Sequence, residues 1–223
     1  MHLASKINVA LEESMWVEYM NQTVSCDQIR RVLNTVAGQF DAKVKIIRDK
    51  KLIGKKHMLH VSGEYVYEKC KKPSTVFLHF SPKRKNIRLD IKKLNRITFL
   101  FSQTLQHELI HKDQDARRIE NHKPIKIIHS HRLSDARKED IEYYSDPLEV
   151  STHAHDLALE AKQFYPNLSI RDVLNNIDNL RLLKVYSQYK ETFRGLDWGV
   201  LRQSLLKKTW KWSPTVVPVT IFM

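Results

Sequence analysis

The sequence predicts an α+β chain: a small, mostly antiparallel sheet packed on one long helix, followed by a helical C-terminal half. Three observations lead there. Between residues 42 and 91 the apolar residues fall in short, partly alternating, β-branched or aromatic runs with turn residues between them. On either side of that region they recur at helical spacing. Glycine is scarce, with five in 223 residues, which argues against a turn-rich sandwich or barrel.

Taken in order, residues 3–20 read as an amphipathic helix and 26–38 as a second, with Ile29, Val32, Leu33 and Val36 on one face. "AKVKIIRD" (42–49), "KHMLHVSG" (56–63), "STVFLHFSP" (74–82) and "NIRLDI" (86–91) read as strands. Pro82 and the basic "KRKN" suggest a hairpin joining the last two, and "GEYVYE" is a further strand or a loop. Asn95 caps a helix running through "RITFLFSQTLQHELIHKDQDARRIE". Its first half is apolar nearly all round, which requires burial on two sides. Residues 121–145 are polar and rich in histidine, arginine and acids, and read as an irregular excursion.

The C-terminal half begins with a clear start signal. Asp146 is an N-cap and Pro147 occupies the first helical position, where its missing N–H costs nothing. Ser169 opens another helix, with Asp172 three residues on as in a capping box. "NLRLLKVYSQYKETF" and "LDWGVLRQSLLKKTW" are further helices with Gly195 as a break, and the tail "SPTVVPVTIFM", with two prolines, is extended. The expected organisation is one domain over 1–223: sheet and long helix in 1–120, excursion in 121–145, helical half with its tail in 146–223.

Composition bounds the function. At 42% apolar and 28% charged residues the chain is globular, not disordered. No stretch approaches the roughly 20 apolar residues of a membrane span, so no membrane partner is expected. The N-terminal twenty residues mix acids with apolar residues and do not read as a signal peptide. Cys26 and Cys70 are the only cysteines, with no CxxC pair, which favours a reducing, cytoplasmic setting. The net charge of +13 would attract phosphate backbones or acidic proteins, so a nucleic-acid partner is possible. The lysines and arginines are dispersed, however, and no aromatic-rich RNA signature accompanies them. Oligomeric state is not legible.

One short stretch carries chemistry: "HELIH", residues 107–111. On a helix, positions i and i+4 share a face about 5–6 Å apart, so His107 and His111 can direct imidazole nitrogens at one zinc ion. Glu108, roughly 100° round the helix from His107, can border the water on that ion and take its proton, which is the division of labour of an H-E-x-x-H site. The competing interpretation is a satisfied pair of core histidines. A catalytic zinc needs a third protein ligand. Arg117 and Gln114 occupy the positions where one known arrangement has its third histidine and a glycine, which leaves Glu149, His122, His129 or His131. Glu149 also has a plain role, since an acid at the third position of a helix meets the dipole and can complete a capping box.

"HELIHKDQ" followed by "YYSDPLEVSTHAHDLA" resembles the predicted zinc metallopeptidases of tailed bacteriophages and, more broadly, the gluzincins, in which a glutamate on a second helix is the third ligand. The likeness is confined to two blocks within residues 104–158. It implies zinc held by His107, His111 and Glu149, with Glu108 as base and proton shuttle. It also implies a protein or peptide substrate and, for a phage-encoded protein, action in the host cytoplasm. Tyr143 or Tyr144, just before the "SDP" turn, would lend a phenolic hydrogen bond to the developing oxyanion. In gluzincins the residue four past the glutamate ligand often orients the first histidine. The family prefers an acid–alanine pair where this chain has Ser151, Thr152 and His153, and His153 would fill that role less well than a carboxylate. "STVFLHF" is expected as an edge strand beside the helix, where a peptide could add as one more strand. Three alternatives stay open: a SprT-like protease acting on DNA-bound proteins with a histidine third ligand, a basic nucleic-acid or protein-binding protein with a non-catalytic metal site, and a metal-dependent hydrolase of a non-peptide bond.

Overall fold

The structure, a computed structural model, describes residues 3–14, 16–53, 59–65, 73–120, 136–194, 196 and 198–219. It is α+β and divides into two compact units, one formed by Met1–Ala116 with Val219–Met223 and one by Arg117–Pro218.

The first unit opens with α1 (Leu3–Glu13) and a short 3-10 turn at Trp16–Tyr19. β1 (Thr23–Ser25) leads directly into α2 (Cys26–Gly38), which starts where a full capping box forms. Ser25 Oγ accepts from the Gln28 N–H at 3.1 Å, and Gln28 Oε1 accepts from the Ser25 N–H at 2.7 Å. Ile29, Leu33, Val36 and Ala37 form the buried stripe of α2. Then come β2 (Ala42–Arg48), β3 (Leu59–Glu64), β4 (Ser74–Phe80), β5 (Asn86–Arg88) and the long helix α3 (Ile91–Glu120).

The sheet order is β2-β4-β3. β3 pairs antiparallel with β4, while β2 pairs with β4 in parallel, from Ala42 opposite Ser74 to Arg48 opposite Phe80. β4 is therefore the central strand, and the expectation that "STVFLHF" lies at an edge is corrected. Its burial shows why: Ser74, Thr75, Val76, Leu78 and Phe80 are all buried, as a strand flanked on both sides requires. β5 does not form a hairpin with β4 across Pro82; it pairs antiparallel with β1, Val24 opposite Ile87. The α3 helix begins earlier than expected. Asp90, not Asn95, meets its free amides, accepting from the Lys93 N–H at 2.9 Å. One apolar core joins α1, α2, the inner sheet face and α3 through Leu11, Leu33, Val44, Val76, Leu78, Phe80, Leu94, Phe101 and Leu105. Within it the Trp16 indole N–H donates to Thr98 Oγ1 at 2.8 Å, which ties the early turn to α3.

In the second unit α4 (Ala136–Ser145), α6 (Ile170–Asn175), α7 (Lys184–Thr192) and α8 (Gly199–Trp212) surround α5 (Pro147–Phe164). The expected irregular excursion is thus helical over its last ten residues. Its remainder, with His122, His129 and His131, lies outside the described residues, as do Gly195 and the last three residues of "GEYVYE", whose first two end β3. The start of α5 is as anticipated: Asp146 Oδ1 accepts from the Leu148 N–H at 2.8 Å, with Pro147 in the first turn. Val150, Ala154, Leu157 and Ala161 face Val173, Ile177, Leu183, Tyr189 and Leu205 in a second core. Three bonds fasten α8 and the extended tail to α5: Trp212 Nε1 to Ser151 O at 2.9 Å, Lys208 Nζ to Pro147 O at 2.7 Å, and Lys162 Nζ to Val216 O at 2.7 Å. Among the described residues no helix is long and apolar enough to cross a membrane.

Candidate metal centre

In the first unit the "HELIH" stretch lies in the second half of α3. One helical turn brings the Nε2 atoms of His107 and His111 to 3.1 Å, with the rings at 73° and centroids 4.8 Å apart. Two nitrogens each about 2.0–2.1 Å from a tetrahedral zinc stand about 3.3 Å apart. The pair therefore fits two adjacent corners of such a site with shifts of a few tenths of an ångström. His111 is buried and His107 half-buried.

Glu108 is buried too, at 6% exposure, and its carboxylate lies against the backbone of β3. A Cβ built on Gly63 would fall 2.2 Å from Glu108 Oε1 and 2.5 Å from its Cγ. Only glycine leaves room for the acid there. β3 is an edge strand of the three-stranded sheet, so the position anticipated for "STVFLHF" belongs to the neighbouring strand. Asp115 is fully buried on the same helix, whereas Asp113 is exposed.

In the second unit Glu149 sits in the first turn of α5 and is 4% exposed. Its Oε2 is 3.9 Å from His153 Nε2 one turn on, and His153 Nδ1 is 3.8 Å from Asp156 Oδ2. The imidazole thus stands between two carboxylates of its own helix. Aromatic rings enclose it: Tyr144 at 5.3 Å, Tyr189 at 5.7 Å and Tyr143 at 6.0 Å between centroids. Tyr143 is exposed, Tyr144 half-buried and Tyr189 fully buried.

Burial pushes the Tyr144 phenol above its ordinary value, and the charges of Asp140 and Glu149 push it the same way. Tyr189 is raised much further, first by burial and then by Glu149. Both phenols accordingly keep their protons at neutral pH and can act only as neutral hydrogen-bonding groups. Tyr189 was not anticipated, nor was Asp156. The signal for Tyr189 was the spacing of Tyr186 and Tyr189, which puts both on one face of α7. No family model, curated protein sequence or solved structure matches this chain.

Proposed function

We propose that this chain is a zinc-dependent peptidase in which His107, His111 and Glu149 hold the ion and Glu108 moves the proton. This reading extends the resemblance to the gluzincin-like phage metallopeptidases. The observation that carries it is the pair of imidazole nitrogens 3.1 Å apart on α3, next to a buried glutamate. Glu149 in the first turn of α5 offers a buried carboxylate, with His153 one turn away.

A zinc ion bound there would acidify a water and polarise a substrate carbonyl. The protein's own residues do the rest. The Glu108 carboxylate accepts the proton of the attacking water and returns it to the leaving amine. Its burial and its contact with Gly63 hold it in one place while it does so. Among the described residues β3 is an edge strand, and an extended peptide adding there would run past the Glu108 carboxylate. Tyr144, kept protonated, has an O–H to donate to the developing oxyanion, and His153 orients the carboxylate of Glu149.

Elemental analysis and peptide hydrolysis by the purified full chain test this. Wild type is expected to hold one equivalent of zinc. Glu108→Gln should keep the metal while hydrolysis falls about 10²–10⁴-fold. His107→Ala, His111→Ala and Glu149→Ala should each lose both. Zinc retained by Glu149→Ala would return the third ligand to the histidines of residues 121–135. A wild-type protein that takes up no zinc would end the enzymatic reading.

A further inference from the structure

The pairing of β2, β4 and β3 assembles a surface that the linear sequence conceals. Val44, Val76, Leu78, Leu59 and Val61 point into the core, so the alternate residues of each strand share the opposite face. The register sets them in three rows: Lys43, Thr75 and Glu64; Lys45, Phe77 and Ser62; Ile47, His79 and His60. Lysines thus stand on β2, with Lys50 and Lys51 exposed in the turn that follows it, while rings occupy the middle and the far strand. The His60 and His79 rings lie 5.2 Å apart and the Phe77 and His79 rings 6.5 Å apart. His79 is fixed in place, with Nε2 2.7 Å from Ser62 Oγ and Nδ1 3.7 Å from Asp49 Oδ2.

We infer that this outer face of the sheet binds single-stranded nucleic acid, with phosphates on Lys43 and Lys45 and bases stacked on Phe77 and His60, between which His79 is wedged. Rings beside a line of cations suit that ligand for a physical reason. Every base has a π-face and every nucleotide a phosphate, so a platform of this kind holds a strand without reading its sequence. The net charge of +13 supplies long-range attraction, and the lysine row gives it a local direction. Burial, then the charge of His60, lowers the proton affinity of His79, which packs between the Phe77 and His60 rings and braces them. The duplex is the poorer fit because its bases are already stacked on each other. This inference stands apart from the peptidase reading, since none of these residues belongs to the proposed zinc site.

Fluorescence anisotropy of the full chain with a labelled 20-nucleotide single strand, across a salt series, tests it. The double variant Lys43→Glu/Lys45→Glu should bind at least ten-fold more weakly, with a log–log salt slope smaller by about 1.4, as for two lost phosphate contacts. Phe77→Leu, which keeps an apolar side chain in the strand, should weaken binding about five-fold or more through lost stacking. Lys83→Glu/Lys85→Glu, on the turn after β4, makes the same charge change elsewhere and should cost less than two-fold. Equal losses in the two charge variants would overturn the inference in favour of unspecific attraction. So would a duplex, or polyglutamate, binding as tightly as the single strand. Thermal melts of each variant verify folding.

Discussion

The two units place their polar groups by different means. In the first, the backbone does the placing. His107 and His111 meet because they are one turn apart on α3, and Glu108 is held against a strand that has no side chain at Gly63. In the second, side chains do it. Glu149 and His153 lie among Tyr143, Tyr144 and Tyr189, and Asp156 stands at the far side of the imidazole. Backbone placement leaves no slack, because shifting a strand or a helix disturbs a whole core. Placement by packed rings tolerates the loss of one polar atom, provided the ring remains. The same kind of small change should therefore cost much in one unit and little in the other.

Gly63→Ala should show the largest effect. The added methyl occupies the space of the Glu108 side chain, down to its Cγ, so the carboxylate must swing away from β3. If the chain is the proposed zinc peptidase, a displacement near 1 Å is enough to lower hydrolysis about 10²-fold, and that loss is expected with zinc content unchanged. Gly38→Ala is the matching control. Nothing lies within 4 Å of its added Cβ at the end of α2, and stability should hold or rise by about 0.4–1 kcal/mol. Unaltered hydrolysis by Gly63→Ala would mean that the position of Glu108 against β3 is irrelevant to activity.

In the second unit the corresponding change is Tyr189→Phe. The Tyr189 hydroxyl is buried and has no hydrogen-bond partner among the described residues, while its ring packs against Tyr144, His153 and Phe193. Deleting an unsatisfied buried hydroxyl and keeping the ring removes a desolvation cost of about 1–3 kcal/mol. The urea midpoint should rise with an unchanged slope. A lower midpoint would show that the hydroxyl is satisfied after all, and the contrast between the units would weaken.

Local signals in the sequence were reliable where one residue decides one hydrogen bond. The capping residues Asp146 and Ser169 stand where their side chains predicted, and His107 and His111 converge as helical spacing requires. Signals that depend on which distant segments pair were not legible. β3 precedes β4 in the chain yet lies outside it, and β2 reaches β4 in parallel, so neighbours in sequence misidentified the edge. β1 has three residues, too few for a period to show, so the partner of β5 was missed although the strand at 86–88 was read. Asn95 looked like a cap because it is a capping residue type, but the apolar period already includes Ile91 and Leu94, and Asp90 ends the turn before them. For the site, the approach of His107 and His111 was readable from helical spacing, whereas Glu149 was singled out only by the family resemblance. The contact of Glu108 with Gly63 and the enclosure of His153 by Tyr189 depend on tertiary packing, which no local spacing encodes.

The smallest effect is expected on the outer sheet face, where backbone and side chains share the placing. His79 is set opposite His60 by register and is held by Ser62. Its proton affinity is lowered by burial and then by His60, with Asp49 opposing. The folded protein therefore binds fewer protons at this position than the unfolded chain does, whose histidines titrate near pH 6.5. Stability from this group is complete above that pH and is lost as pH falls through 6.5 toward the lower folded value. The slope cannot exceed one proton, about 1.4 kcal/mol per pH unit. Urea midpoints measured between pH 5 and 7.5 should fall less steeply on acidification for His79→Gln than for wild type, while the two run parallel above pH 7. If both fell equally, the ring would be as free to take up a proton in the sheet as in water. Its fixed position between Ser62 and Asp49 would then have no energetic consequence, and the backbone register alone would account for where it stands.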